Sequence, residues 1–166
     1  MRTGDVIVFK GSGPVFQVLS CLLGLFDKLW RKRKWKPWHA AIAYEQETAH
    51  TFKIVDSTEQ GVGFNFLDLN RTDYKSFEWF DEPISMSAFN RWLYDYFGKP
   101  YDYDAYLGTA ISFFMKRIFG TTMRIVDKQY YCTELVAEFC RYFGKPLQPQ
   151  NEYPMPNIVI KALENG

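Results

Sequence analysis

The chain has 166 residues, of which 47% are apolar types, 23% charged and 19% aromatic, and it carries a net charge of +1. That length suits a single domain over residues 1–166 and can bury about two-thirds of its unfolded surface. The composition excludes disorder, a collagen-like repeat and a small disulfide scaffold, and the near-neutral charge gives the whole molecule no pull on a polyanion.

At the N-terminus, Met1-Arg2-Thr3-Gly4-Asp5 leads into Val6-Ile7-Val8-Phe9. That run is too short for the apolar core of a secretory signal. No segment reaches the roughly 20 apolar residues of a membrane span. Asp5 to Phe9 reads as a short strand. Pro14 to about Arg31 reads as a helix with Pro in its first turn. Its polar positions (Gln17, Ser20, Gly24, Asp27, Lys28 and Arg31) form a narrow stripe, leaving most of the circumference apolar. The helix runs into Trp30-Arg31-Lys32-Arg33-Lys34-Trp35-Lys36-Pro37-Trp38, which places five cations between Arg31 and Lys36. Tryptophans interleaved with cations, with Trp30, Arg31, Arg33 and Trp35 as the contact residues, suit a peripheral site on an anionic membrane surface. A solvated loop beside a core helix is the competing reading. No glycine loop, stacking motif or second basic patch supports a nucleic-acid partner.

His39 to Glu45 and Thr51 to Ser57 read as two strands joined at Gln46-Glu47-Thr48, and Val62 to Leu67 and Ser76 to Phe80 as two more. Ser87 to Phe97 reads as a helix with Ser87 as N-cap. Asp104 to Phe119, Cys132 to Phe143 and Pro156 to Leu163 follow as helices. Strands cluster in the first half and helices in the second. The expected class is therefore α+β, an antiparallel sheet packed against helices. The string Tyr-Phe-Gly-Lys-Pro occurs at Tyr96 to Pro100 and again at Tyr142 to Pro146. Glycine supplies a left-handed cap and proline forbids continuation, so each copy marks a helix end.

Three scattered cysteines, Cys21, Cys132 and Cys140, make neither a disulfide framework nor a zinc site. Cys132 and Cys140 on one helix would stand about 12 Å apart, too far to bridge. A reducing, cytoplasmic setting with no metal and no cofactor is the simplest expectation.

Cys132 begins a helix whose apolar face carries Leu135, Val136, Phe139 and Phe143, and the thiol lies on that face at the first turn. There the helix dipole and unpaired N–H groups favour thiolate and can hold an oxyanion. Cys21 and Cys140 lie mid-helix and read as core. His39 opens a strand and shares a face with the small residues Ala41 and Ala43. With a hairpin turn centred on Gln46-Glu47, His39 falls opposite Ile54, which makes Asp56 its diagonal neighbour within side-chain reach. His50 falls opposite Ala43, farther along, and Glu59 lies past the strand end. A thiol, an imidazole and an acid form the nucleophile, base and orienting group of covalent acyl transfer.

The order of these residues, with the histidine and the acid ahead of the cysteine, together with their flanks, resembles the circularly permuted papain-like hydrolases of the NlpC superfamily. Within that superfamily the likeness is to the YiiX-like and lecithin:retinol acyltransferase-like branch. The matching pieces are Gly4-Asp5-Val6-Ile7-Val8-Phe9, His39-Ala40-Ala41-Ile42, Val55-Asp56 with Gly61-Val62, Gly98-Lys99-Pro100-Tyr101-Asp102, and Tyr131-Cys132-Thr133-Glu134-Leu135-Val136. The resemblance implies a Cys132 nucleophile, a His39 base and a polar third member at Asp56, where the YiiX-like pattern usually has glutamate. The acyltransferase branch places a second histidine about a dozen residues after the first, which makes His50 the rival third member. Tyr131 and Thr133, flanking the nucleophile, are the expected substrate and oxyanion contacts. The expected function is a cysteine hydrolase of amides, peptides or acyl esters. A lipid acyltransferase or thiol phospholipase at a membrane surface is one alternative, and a non-catalytic binding module on the same fold is another.

Overall fold

A computed structural model describes residues 1–11, 36–101, 131–147 and 156–165, the last segment with side chains from Val159 onward. The helices expected at Pro14–Arg31 and Asp104–Phe119, the basic run with Trp30, Arg31, Arg33 and Trp35, and Cys21 lie outside the described residues.

Short runs rich in β-branched and aromatic residues form the strands β1 (Val6–Lys10), β2 (Pro37–Gln46), β3 (Thr51–Thr58), β4 (Gly61–Asp68) and β5 (Tyr74–Phe77). They pair antiparallel throughout, in the order β4-β3-β2-β1-β5. The central strand β2 is the most apolar, and Ala40 to Ala43 are fully buried. Strand alternation sends Val6, Val8, Ala40, Ile42, Val55 and Val62 to one face. Ile7, Ala41, Ala43, Phe52, Ile54 and Leu67 go to the other.

The first face meets the described helices α1 (Met86–Tyr96), α2 (Cys132–Tyr142) and α3 (Pro156–Asn165). Phe89, Trp92 and Leu93 of α1, Leu135, Val136, Phe139 and Cys140 of α2, and Val159, Ile160 and Leu163 of α3 close the core with the sheet. Phe139 is its hub, with ring centroids 4.8 Å from Trp92 and Phe143, 5.1 Å from Phe89 and 5.7 Å from Phe80. The architecture is α+β, a five-stranded antiparallel sheet with helices packed on it. Among the described residues, no helix is long and apolar enough to cross a membrane.

Two local expectations need correction. The cap of α1 is Ser85, whose Oγ accepts from the N–H of Ala88 at 3.4 Å, so the helix starts two residues earlier than a Ser87 cap would allow. The last strand is Tyr74–Phe77 rather than Ser76–Phe80, because its partner β1 begins at Val6, opposite Phe77. Beyond that point the chain turns inward, and Trp79 Nε1 donates to the carbonyl of Lys145 at 2.6 Å.

The repeated pentapeptide ends two helices in two ways. Gly98 and Gly144 both take positive φ, 76° and 79°. After α2, Lys145 N–H bonds back to the Cys140 carbonyl at 3.0 Å and closes the helix on itself. After α1, the Gly98 N–H instead donates to Val62 O at 2.9 Å, and the Val62 N–H donates to Lys99 O at 2.8 Å. The second ending straps the chain to β4. Gly61 (φ +97°) permits that approach, since a Cβ there would lie 2.5 Å from Lys99 O.

Candidate active site

The site is assembled at one end of the β2–β3 hairpin. Ala41 pairs with Asp56, Ile42 with Val55 and Ala43 with Ile54; then Tyr44 bulges, and Glu45 pairs with Lys53. The expected turn at Gln46-Glu47-Thr48 lies farther along, closed by Glu47 and Thr48 N–H groups donating to Thr51 O at 3.0 and 3.1 Å. His39 is therefore not opposite Ile54. The bulge decides the outcome. Carried on unbroken, the Glu45–Lys53 register would set Asp56 opposite Ile42 and turn its carboxylate to the wrong face. One extra residue at Tyr44 restores parity and puts Asp56 on the face of Ala41 and His39. The diagonal contact expected from the sequence is thus formed, reached through a different register: His39 Nε2 and Asp56 Oδ2 are 2.9 Å apart.

Asp56 is held in turn. Asn65 Nδ2 donates to its second oxygen, Oδ1, at 3.1 Å. Gly63, directly opposite Asp56 on β4, leaves the space beside it open. The carboxylate side chain is 6% exposed and the His39 side chain 26%. The Phe9 ring stands against the imidazole, 5.5 Å between centroids.

Cys132 arrives from the other side of the sheet. Helix α2 packs on the face of Ala40 and Ile42, whereas His39 and Asp56 belong to the face of Ala41. The two are reconciled where the ladder stops: β2–β3 pairing ends at Ala41–Asp56 although both strands continue past that point. In that opening the buried Cys132 thiol comes within hydrogen-bonding reach of the His39 ring, with the backbone N–H groups of Ala40 and Thr133 directed at the sulfur. Asp56 occupies Nε2, so Nδ1 is the ring nitrogen left for the thiol.

The electrostatics follow from this packing. Burial works against both charges, but the imidazolium beside Cys132, its hydrogen bond and the two N–H groups hold the thiol below its ordinary value. Burial likewise opposes charging of His39. The neighbouring thiolate and the Asp56 carboxylate outweigh it and raise the ring to about 10. The two shifts favour the thiolate–imidazolium form over the neutral pair. Cys140, on the same helix and just as buried, has no such partner, and burial alone pushes its thiol far up. Neither cysteine is in a disulfide.

The start of α2 is also informative. Its N-cap is Tyr131, which makes no side-chain capping bond; forgoing a capping side chain costs about 1 kcal/mol. In the first turn the Glu134 N–H bonds Tyr131 O at 3.1 Å and the Thr133 N–H is directed at the sulfur, so the Cys132 N–H is the donor placed for a developing oxyanion.

The other expected residues fall as follows. His50 is exposed in the turn at the far end of the hairpin, where its N–H donates to Thr48 Oγ1 at 3.2 Å. Six residues of strand separate it from Asp56, about 20 Å, so it is not brought to His39. The side chains of Tyr131 and Thr133 are buried, 2% and 1% exposed. Thr133 reaches the sulfur through its backbone and not through its hydroxyl, and Tyr131 packs inward instead of facing an open cleft. Asn65, Phe9 and the Ala40 N–H were missed. An asparagine in the otherwise apolar run Val62 to Leu67 was the available signal for the first. A groove of about 480 Å³ lined by Tyr44, Phe64, Asn90, Leu93, Tyr94 and Phe97 opens elsewhere, five residues along β2 from His39. Among the described residues no cluster of three His, Cys, Asp or Glu side chains could hold a metal ion.

Compared with known proteins, the chain matches no family model and no curated protein.

Proposed function

We propose that the chain is a thiol hydrolase of the permuted papain-like, NlpC-type fold, acting on amides, peptides or acyl esters through an acyl-enzyme. One observation carries this reading: an imidazole gripped at Nε2 by a buried carboxylate, with its other nitrogen left for a thiol at a helix N-terminus. The topology supports the permuted order. Base and acid come from adjacent antiparallel strands, and the nucleophile from a later helix packed on them.

In the reaction, the Cys132 thiolate attacks the carbonyl carbon, forming a C–S bond and an oxyanion held by the Cys132 N–H. The His39 imidazolium gives its proton to the departing amine or alkoxide as the C–N or C–O bond breaks. Water then attacks the thioester and loses a proton to His39. The C–S bond breaks, releasing the acid and restoring the ion pair. Asp56 fixes the ring tautomer throughout, and Asn65 fixes Asp56.

The test is covalent trapping. An electrophilic acyl probe should label Cys132 and leave Cys21 and Cys140 unmodified by mass spectrometry, and His39→Ala should abolish the labelling. Equal, slow, His39-independent labelling of all three cysteines would mean a binding module that only shares the fold.

A further inference from the structure

The outer edge of the sheet is β4, and its backbone is closed over only part of its length. Val62 points outward and is capped by the strap, bonding Lys99 and Gly98 at 2.8 and 2.9 Å. The β3–β4 register runs without a bulge, so Phe64, Phe66 and Asp68 also point their N–H and C=O groups outward. Among the described residues, neither Phe64 nor Phe66 meets a partner there. The open stretch runs from Phe64, just past the strap, to the N–H of Asp68, where the strand ends and the Asp68 carbonyl accepts from the Arg71 N–H at 3.2 Å. It holds no Lys or Pro to blunt the edge, and the Phe66 side chain at its midpoint is 61% exposed.

We infer that this edge pairs with the same edge of a second copy of the chain, antiparallel, about a two-fold axis through Phe66. The register follows from the two limits of the open stretch. With Phe66 opposite its own copy, the central pair exchanges two backbone hydrogen bonds, and Phe64 faces Asp68 on either side, where the Asp68 N–H donates to the Phe64 carbonyl while the Asp68 carbonyl keeps the Arg71 N–H at 3.2 Å. Each strand then ends before it reaches the other copy's Gly98–Lys99 strap. Centring the axis one residue earlier, on Asn65, would drive Asp68 of one copy into that strap. The charges fit as well. Lys53 lies opposite Phe66 on β3 with its Nζ 4.2 Å from the Phe64 ring centroid and 3.8 Å from the half-exposed Glu45 carboxylate of its own chain, so a second carboxylate would share it. Asp68 of the second copy arrives beside that ring on the same face. An isologous contact of this kind closes at a dimer and joins two five-stranded sheets into one.

The experiment is light-scattering mass at about 50 µM combined with a crosslink. The wild-type chain is a dimer. Phe66→Cys forms an intermolecular disulfide under mild oxidation, because facing residues of this pair type stand about 5.5 Å apart at Cα, within disulfide span. Tyr142→Cys, an exposed aromatic away from the edge, does not crosslink. Phe66→Pro removes an outward N–H without touching the β3 ladder and gives a monomer with unchanged circular dichroism; should it fail to fold, Phe66→Glu takes its place. A monomeric wild-type chain, including one whose edge takes up an added peptide instead, overturns the inference. So does a dimer in which Phe66→Cys fails to crosslink. The outcome is independent of whether Cys132 is catalytic.

Discussion

At the scale of single residues, the pairing of Cys132 with His39 has a definite pH signature. In the unfolded chain the ring titrates near 6.5 and the thiol near 9.0; in the fold the first is raised and the second lowered. Between those ordinary values the unfolded chain holds one proton, on the thiol, and the fold holds one, on the ring, wherever the lowered thiol has ionised. The pair's contribution to stability is therefore flat there. Below 6.5 the unfolded chain binds a second proton and the contribution falls as pH drops. Above 9.0 the unfolded chain loses its proton while the fold keeps one, and the contribution falls as pH rises through about 10. Denaturant titrations of wild type against Cys132→Ser should show that plateau with a decline on each side; a monotonic difference would contradict the ion pair. The orienting acid is testable separately. Asp56→Asn should lower turnover by about 10²- to 10⁴-fold with folding intact, the order seen when a triad carboxylate is replaced. Asn65→Ala, acting only through Asp56, should cost less and shift the pH–rate profile, a shift that a merely structural role would not produce.

At the scale of elements, the bulge at Tyr44 and the strap at Val62 do the positioning. Apolar periodicity, glycine–proline stops and the early-strand, late-helix order were enough to read the sheet, the three described helices and the ends of two of them. The register was harder. Its sum depends on where a polar turn closes and on one bulged residue, and neither leaves a mark in hydrophobic pattern. Asp56 was still found because the predicted and observed registers near His39 differ by an even number of positions, which preserves facing. Cap and strap make separable predictions. Ser85→Ala should cost about 1 kcal/mol in chemical denaturation and leave Cys132 labelling unchanged. Gly61→Ala, which sets a Cβ against Lys99 O and strains a positive φ, should destabilise the chain and loosen Gly98 and Lys99, seen as faster amide exchange at Gly98.

At the scale of the whole molecule, the helix face and the His39–Asp56 face of the sheet are opposite sides of one layer, and among the described residues they meet where the β2–β3 ladder stops. The aromatic hub around Phe139 keeps α2 seated. Phe139→Ala should cost about 3–5 kcal/mol and slow Cys132 labelling along with it, whereas Cys140→Ala, close by in the same helix, should leave the labelling rate intact. The sequence could place the thiol on the helix face turned to the sheet. It could not show that the ladder parts beside Ala40 to admit it, because that depends on where two strands diverge. The most direct test is the pH dependence of Cys132 alkylation by a neutral reagent, measured in wild type and in His39→Ala. Wild-type rates should hold level to a lower pH than those of the variant, which falls about tenfold per unit below pH 9, as an ordinary thiol does. Two superimposable profiles with a midpoint near the ordinary thiol value of 9.0 would contradict the meeting of sulfur and ring on which the proposed function rests.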